Sequence, residues 1–219
     1  MKLKSRAIQI SCDGGAATGK STGAKMISEK YNLKFLSSGL LYRYASHKVL
    51  KHKPKNQILF LKKCFKNLNL KKLNNKNLHL PKISAHASII AKKQGIRKIL
   101  KEFQKKFAKK NNKVCIEGRD IGTVILPNAD IKFFFKCNLE TAARRRFREL
   151  KETNKKITFN EVKKAMRIRD NLDKKRKNSP LIQAKNAVIV HTDKLKNIKG
   201  MLNKMSEVIE RKIKNKNGH

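Results

Sequence analysis

Near the N-terminus, glycines, a lysine and hydroxyl side chains follow one another at a spacing that could bind phosphate. From Asp13 to Thr22 the chain reads Asp-Gly-Gly-Ala-Ala-Thr-Gly-Lys-Ser-Thr. Glycine lets backbone N–H groups turn toward a bound phosphate, and the start of a following helix adds positive potential. In this pattern Lys20 would reach the terminal phosphates of a nucleoside triphosphate, and the Ser21 hydroxyl would bind Mg²⁺.

The surroundings of this segment favour a phosphate-binding loop over a chance glycine turn. An apolar run, Ala7–Cys12, precedes it, and a stretch with helical periodicity, Gly23–Tyr31, follows it. Strand, glycine-rich loop and helix N-terminus in this order are the setting in which the motif binds ATP. The predicted ATP-binding residues are Gly14, Gly15, Ala16, Ala17, Thr18, Gly19, Lys20, Ser21 and Thr22.

A second phosphate group, the acceptor of a transferred phosphoryl, would need planar and permanently charged donors. This requirement favours arginine over lysine, and in a chain rich in lysine each arginine is informative. Arg169, Asp173 and Arg176 are spaced by four and three residues, so on a helix they share one face. The spacing leaves two interpretations open: a sugar-binding carboxylate between two guanidiniums, or an ion-pair ladder contributing about 0.2–0.5 kcal/mol per pair.

Four segments in order resemble the motifs of the bacterial-type cytidylate kinases, a family of P-loop nucleoside monophosphate kinases. They are the glycine-rich loop, Ser38–Arg43, Val114–Thr123 and a run from Arg169 to Leu181. The second reads Ser-Gly-Leu-Leu-Tyr-Arg, and the third reads Val-Cys-Ile-Glu-Gly-Arg-Asp-Ile-Gly-Thr. The resemblance covers nearly the whole chain. It implies transfer of the γ-phosphoryl group of ATP, accompanied by Mg²⁺, to CMP or dCMP.

The resemblance also implies roles for individual residues. Its CMP-binding set is Ser38, Arg43, Ser88, Arg97, Arg119, Asp120, Arg169, Asp173 and Arg176. In that set Arg43, Arg119 and Arg176 would contact the phosphate, Ser88, Arg97 and Asp120 the cytosine, and Arg169 and Asp173 the sugar. The catalytic set is Lys20, Arg145 and Arg146, the two arginines closing over the transfer. No general base is expected, because the acceptor phosphate is already an anion.

At several positions the chain departs from the family pattern. Ser37 stands where the family usually has Asp, and Gly15 stands where Pro is common. Leu172 replaces a frequent Arg, so one phosphate-facing charge is absent. Leu78-His79-Leu80 replaces the usual Ile-Arg-Ser or Ile-Arg-Thr run, and we expect His79 to be an exposed loop residue.

Alternating apolar runs and helix-period segments predict an α/β fold, a P-loop kinase with a five-stranded parallel sheet flanked by helices. The predicted strands are Ala7–Cys12, Lys34–Leu36, Val114–Glu117, Ile131–Phe135 and Ala187–His191. The predicted helices are Gly23–Tyr31, Leu40–His52, Ser84–Lys109, Leu139–Glu152, Asn160–Lys175 and Ile198–Ile213. Gly95 is expected to bend the third of these helices.

The length of 219 residues predicts one domain, 1–219, with small insertions. The resemblance implies a core of about 1–65 and 113–219, an NMP-binding insert of about 66–112 and a lid of about 144–158. Within the insert, Lys66–Pro81 has a weak period-two alternation of leucines, and within the lid, Thr153–Lys156 is expected to be mobile. We expect a monomer.

The chain carries a large excess of basic residues. Its 56 Lys and Arg against 15 Asp and Glu give a formal net charge of +41. A field of this size attracts any polyanion, but the excess is lysine spread along every helix and loop. The sequence has no aromatic-interleaved basic patch and no zinc-finger or RNA-binding signature. We therefore expect no specific nucleic-acid partner, and weak non-specific binding at low salt.

Cysteine usage and hydropathy predict the cellular compartment in which the protein works. The four cysteines lack metal-ligand spacing, as expected for reduced thiols in a cytosolic protein: Cys12, Cys64, Cys115 and Cys137. No apolar run approaches the ~20 residues that span a bilayer. The basic N-terminus leads into a strand instead of the apolar core of a signal peptide. The sequence therefore predicts a cytoplasmic protein with no membrane partner.

Two other functions remain open at this point. The first is a kinase of the same fold acting on UMP, dTMP or shikimate; the Gly118–Thr123 segment and the Arg169, Asp173 and Arg176 face argue against it. The second is a nucleic-acid-binding protein that retains an inactive nucleotide fold. It would need a basic surface concentrated on one face, and it should bind RNA at physiological salt.

Overall fold

A computed structural model of the chain describes residues 7–152, 155–195 and 197–217. The chain forms two compact units. The first comprises the described residues of Met1–Phe35 and Asn112–His219, and the second is Leu36–Asn111. Thr153 and Asn154, which the sequence predicts to be mobile, lie outside the described residues.

A five-stranded sheet carries the order β2-β3-β1-β4-β5. Its strands are β1 (Ile8–Gly14), β2 (Lys34–Ser37), β3 (Lys113–Gly118), β4 (Ile131–Lys136) and β5 (Val188–His191). Strand β1 pairs in parallel with β3 on one side and with β4 on the other, and β4 pairs in parallel with β5. Because the strands are parallel, the segments that follow β1 and β3 leave the sheet at the same edge.

The first unit contains α1 (Lys20–Lys30), α6 (Leu139–Lys151), α7 (Phe159–Lys174) and α8 (Ile198–Asn217). Helix α1 packs against α8. Between these helices and the sheet lies an apolar core that includes Ile10, Ile27, Phe133, Phe135 and Met205, all almost fully buried. The near-continuous apolar character of the central strands is what two-sided burial requires.

Helices α6 and α7 are packed together by a separate, smaller apolar cluster. Its buried members are Ala142, Ala143, Val162 and Met166. Helix α7 begins with a capping box, in which the Thr158 hydroxyl accepts from the Glu161 N–H at 3.3 Å and the Glu161 carboxylate accepts from the Thr158 N–H at 2.8 Å. The cap fixes where the helix starts after the α6–α7 connection.

The second unit is helical. It contains α2 (Ser38–His52), α3 (Gln57–Lys66), α4 (Pro81–Ile90) and α5 (Gln94–Lys110), with 3₁₀ turns at Leu70–Asn74 and Lys76–His79. Helix α2 packs on α4, and α3 packs on α5. Ser37 caps α2, since its hydroxyl accepts from the Leu40 N–H at 3.2 Å. Serine at this position therefore has a local structural role.

The five predicted strands and the parallel sheet are confirmed, but in the second unit one predicted helix is wrong and one helix was missed. Helix α3 was not predicted, although the Asn56 side chain caps it by accepting from the Leu59 N–H at 3.0 Å. The predicted helix Ser84–Lys109 is two helices, interrupted at residues 91–93. The two 3₁₀ turns lie within Lys66–Pro81, the segment in which the leucines alternate weakly.

Gly95 does not bend a helix. It lies in the first turn of α5, where a Cβ atom would stand 2.6 Å from Cδ1 of Ile58. The glycine thus permits the close approach of α3 to α5.

The cysteines follow the sequence prediction in part. Cys12 and Cys115 are buried on neighbouring strands, with their sulfur atoms 3.9 Å apart, whereas Cys64 and Cys137 are partly exposed. All four are free thiols. In the part of the chain that the structure describes, no helix combines the length and apolar character needed to cross a membrane.

Candidate active site

The phosphate-binding loop joins the end of β1 to the start of α1. Gly19 takes a left-handed conformation, with φ at +82°, and immediately precedes the helix. Helix α1 begins at Lys20, earlier than the predicted Gly23, so Ser21 and Thr22 lie exposed in its first turn. The backbone N–H groups of a first helical turn have no acceptor within the helix, and they are available to a phosphate.

One hydrogen bond and one close backbone approach define the loop's shape. The Thr18 hydroxyl donates to the Gly15 carbonyl at 3.1 Å. Gly14 lies so near β4 that a Cβ atom would stand 2.7 Å from the Phe135 carbonyl oxygen. Packing between β1 and β4 therefore demands glycine at position 14.

Lys20 is buried within the site. Its ammonium donates to the Gly15 carbonyl at 3.3 Å and lies 3.7 Å from the Glu117 carboxylate at the end of β3. Burial, followed by the nearby charge of Arg119, lowers the pKa of Lys20 to about 8, while Glu117 acts in the opposite direction. The sequence analysis did not single out Glu117, because its partner Lys20 lies far away along the chain, at the start of α1.

Asp13, the residue before the loop, is also buried. Its two carboxylate oxygens accept from the backbone N–H groups of Ile121 at 2.8 Å and Gly122 at 2.7 Å. Burial raises the pKa of Asp13 to about 7 against the opposite effect of these two hydrogen bonds. The sequence analysis assigned this residue no role.

Three of the predicted CMP-binding residues form one cluster in the first unit. Asp173 accepts from Arg119 Nε at 3.0 Å through one oxygen, and its other oxygen lies 3.3 Å from Arg176 Nη1. Arg119 also donates from Nη1 to the Gly14 carbonyl at 2.6 Å. The cluster thus joins the segment after β3 and helix α7 to the phosphate-binding loop.

Two further predicted residues lie around this cluster. Asp120 is buried and immediately precedes a π-helical turn, Ile121–Ile125. Arg169 on α7 is near enough for its charge to lower the pKa of Lys20. The next residue, Asp170, was missed by the sequence analysis; its carboxylate accepts from the Ala16 N–H at 3.4 Å.

The two predicted lid arginines have different surroundings. Arg145 on α6 donates to the Thr192 hydroxyl at 3.0 Å and to the Thr192 carbonyl at 2.9 Å. The Thr192 hydroxyl in turn donates to the Thr18 carbonyl at 2.9 Å, so this threonine links Arg145 to the phosphate-binding loop. Arg146 pairs with Glu149 on its own helix at 2.8 Å. Thr192 carries no motif and could not be found from sequence.

The remaining predicted residues belong to the second unit. Ser38 is the buried first residue of α2, and Arg43 of the same helix lies 3.1 Å from the Nδ1 atom of the exposed His79. Ser88 lies on α4, where its hydroxyl donates to the Ser84 carbonyl at 3.4 Å. Arg97 lies on α5 and donates to the Ala91 carbonyl at 3.3 Å. Ser88 and Arg97 are therefore on separate helices instead of on one bent helix.

Comparison with known proteins identifies a family. A family model described as cytidylate kinase matches residues 10–211. A cytidylate kinase of Thermosipho melanesiensis is 34% identical over 216 residues, covering 94% of this chain and 98% of that protein. A cytidylate kinase of Bartonella tribocorum is 39% identical over 192 residues, covering 85% of this chain and 87% of that protein.

Among solved structures, a shikimate kinase from Bacteroides thetaiotaomicron superposes with a TM-score of 0.53 at 15% identity, covering 93% of this chain and 98% of that chain. The protein TT1252 from Thermus thermophilus gives a TM-score of 0.52 at 14% identity, covering 94% of this chain and 97% of that chain. At such identities the superpositions support the fold of a P-loop kinase and carry no information about the acceptor.

Proposed function

This chain belongs to the cytidylate kinase family, and we propose that it transfers the γ-phosphoryl group of ATP to CMP or dCMP, giving ADP and CDP or dCDP. One observation carries the proposal. Arg119, from the segment predicted to bind the acceptor, donates to the Gly14 carbonyl at 2.6 Å. Groups suited to a donor and to an acceptor phosphate are therefore adjacent within one unit.

The donor half is the loop Gly14–Thr22. Its backbone N–H groups and the start of α1 suit the phosphates of ATP, and Lys20 would neutralise charge that develops on the transferred group. Lys20 is already buried beside the loop, so it need not be drawn out of water when ATP binds. A preorganised cation of this kind stabilises a transition state more than a solvated one does.

The residues present fit Mg²⁺. The Ser21 hydroxyl is exposed in the first turn of α1. Among the described residues, no group of three or more His, Cys, Asp or Glu side chains is arranged to hold a metal ion. This suits Mg²⁺, which usually takes few protein ligands and completes its shell with phosphate oxygens and water. When bound with ATP, the ion would neutralise charge on the phosphate oxygens.

The acceptor half is proposed to use guanidinium groups for the CMP phosphate: Arg43, Arg119 and Arg176. Guanidinium forks match phosphate oxygens in geometry and stay charged at any relevant pH. Arg119 and Arg176 are held by the shared carboxylate of Asp173, so part of the entropy cost of ordering them is met before CMP binds. The acceptor phosphate is an anion, so no side chain has to remove a proton.

Recognition of the base and sugar is proposed for the remaining predicted residues, Ser38, Ser88, Arg97, Asp120, Arg169 and Asp173. A carboxylate accepts from the exocyclic amine of cytosine, and Arg and Ser donate to its ring acceptors. The buried position of Asp120 supports this role, because a buried carboxylate discriminates strongly against a base that offers no donor.

Arg145 and Arg146 are proposed to contribute positive charge over the transferred group. Arg145 has support from its hydrogen-bonded link through Thr192 to the Thr18 carbonyl. Arg146 would have to leave its ion pair with Glu149, which costs little on a helix surface.

We propose that the protein works as a monomer in the cytoplasm, with ATP and CMP or dCMP as its specific partners. Sedimentation analysis checks this assignment, and RNA binding at physiological salt checks for a nucleic-acid partner.

A coupled assay of ADP formation with CMP, UMP, AMP and GMP tests the function. CMP should be the best acceptor, because a mismatched base leaves Asp120 and Arg97 unsatisfied, at about 1–3 kcal/mol per group. The Lys20→Ala variant controls for contaminating kinases and should be inactive. If AMP were the best acceptor, the proposed function would be wrong.

A further inference from the structure

Asp13 lies directly before the phosphate-binding loop and has no part in the function proposed above. Its side chain is buried, with 3% exposed. Each carboxylate oxygen accepts one backbone N–H group, Oδ1 from Ile121 at 2.8 Å and Oδ2 from Gly122 at 2.7 Å. Asp13 and these two residues are separated by more than a hundred positions in sequence, and the pairing of β1 with β3 brings them together.

The two N–H groups belong to the start of the π-helical turn Ile121–Ile125, immediately after Arg119 and Asp120. N–H groups at the start of a helical turn have no acceptor within it, so an external carboxylate can fix their position. The neighbouring Gly14 carbonyl accepts from Arg119 Nη1 at 2.6 Å. The end of β1 therefore holds Arg119 both by its side chain and by the backbone that follows it.

We propose that Asp13 is a positioning residue for the acceptor. It sets the place of Arg119 and Asp120 against the phosphate-binding loop, and it touches neither substrate. This inference rests on the proposed function, in which Arg119 binds the CMP phosphate and Asp120 the base. A displacement of about 1 Å in such groups is enough to cost a hundredfold in rate.

At Gly122 the turn packs closely against Ser11 and Asp13. A Cβ atom at Gly122 would stand 2.8 Å from the Ser11 hydroxyl and 3.3 Å from Asp13 Oδ2. An asparagine at position 13 would offer one acceptor to two N–H donors, and its amide group would face the second donor. Shape alone therefore cannot replace the carboxylate.

Burial of this carboxylate has an energetic cost that supports a functional reason for it. Desolvation raises the pKa of Asp13 to about 7 despite two hydrogen bonds that act to lower it. Groups that cost stability in this way are concentrated at functional sites.

The test compares Asp13→Asn with the matched control Ser11→Ala. Ser11 is buried on the same strand, next to the same turn, and its hydroxyl has no hydrogen-bond partner among the described residues. Asp13→Asn should raise KM for CMP by about tenfold or more and change KM for ATP much less, since its charge acts on Lys20 only as a minor effect. Ser11→Ala should leave both values unchanged. An equal rise in KM for both substrates, or the same rise in KM for CMP in the Ser11→Ala control, would overturn the inference.

A second variant reaches the contact from its other side. Gly122→Ala should push the turn away from Asp13 and reproduce the rise in KM for CMP, with KM for ATP unchanged. If neither variant folds, hydrogen exchange of the Ile121 and Gly122 amides in the wild-type protein tests the contact with Asp13. The amides of Ile121 and Gly122 should then be protected, and exchange at the rate of an unstructured chain would reject the contact.

The outcomes separate this inference from the proposed function. Wild-type protein that fails to phosphorylate CMP would reject the function itself. Wild-type protein that uses CMP, together with an Asp13→Asn variant whose KM for CMP is unchanged, would reject the positioning role alone.

Discussion

The charged residues around the phosphate-binding loop are buried and each depends on a small number of partners. Lys20 faces Glu117, and Asp13 faces two backbone N–H groups. In such surroundings burial first, and then neighbouring charges and hydrogen bonds, move the pKa of a group away from its ordinary value. Their protonation therefore provides a direct test of the site.

The first prediction concerns pH. Because the pKa of free-enzyme Lys20 is lowered to about 8, its cation is lost as pH rises through that value. The value of kcat/KM for ATP should fall about tenfold per pH unit above it, since this parameter reports groups of the free enzyme. Bound phosphates raise the pKa of Lys20, so kcat at saturating ATP should fall at a higher pH. A flat kcat/KM profile up to pH 10 would contradict the prediction.

The second prediction concerns the sugar. Asp173 uses one oxygen for Arg119 and the other for Arg176, yet a carboxylate has further lone pairs that can accept from a ribose hydroxyl. If Asp173 binds the 2′-hydroxyl, Asp173→Ala should cost CMP about 1.5–3 kcal/mol that dCMP does not lose. The ratio of kcat/KM for CMP and dCMP, in wild type and variant, measures this difference. An unchanged ratio would leave Asp173 as a holder of the two arginines.

At the scale of elements, glycine positions show how closely neighbouring strands and helices approach. Gly14 lies where β1 comes closest to β4, and Gly95 lies where α5 comes close to Ile58 of α3. The two contacts differ in what lies opposite. Gly14 faces a backbone carbonyl within the sheet, whereas Gly95 faces the end of the Ile58 side chain, which is 45% exposed and able to move.

The third prediction uses this difference. Gly14→Ala should lower the free energy of unfolding by about 1–3 kcal/mol, because the sheet cannot move away from the added methyl group. Gly95→Ala is the matched control. It should be close to neutral, since Ile58 can shift and alanine in a helix is favoured over glycine by about 0.5–1 kcal/mol. Urea unfolding of both variants measures the effect, and equal destabilisation would contradict the assignment.

At the scale of the whole molecule, the net charge of +41 could affect how fast the substrates reach the protein. A field of this sign could attract ATP and CMP to the protein and increase the rate of encounter. At physiological salt, exposed charges more than about 8 Å apart are largely screened. Lysines far from the site should then contribute little to the rate at which the substrates are captured.

The fourth prediction tests this point with exposed lysines of α8. Replacing Lys212 and Lys214 by Gln should leave kcat/KM unchanged in moderate salt, because neither residue belongs to a site motif and both are exposed. Kinetics at two salt concentrations give the measurement. A tenfold fall in moderate salt would show that the overall charge contributes to substrate capture.

The sequence by itself determined features that depend on neighbours along the chain. The loop Gly14–Ser21, the five strands and the arginine-bearing segments are local patterns, and residue type and spacing along the chain are enough to recognise them. Their order also identified the family. Helix α3 and the break at residues 91–93 were not predicted, because capping and packing, and not periodicity, set those boundaries.

The tertiary structure decided which distant residues meet. Glu117 meets Lys20, Ile121 meets Asp13, and Thr192 meets Thr18, the last pair across 174 positions. These contacts arise because parallel strands bring segments that are far apart in sequence to one edge of the sheet. Strand order and register are properties of the whole fold, and no window of the sequence contains them. For that reason the sequence could predict candidate phosphate-binding residues, whereas it could not predict the distant residues that contact them.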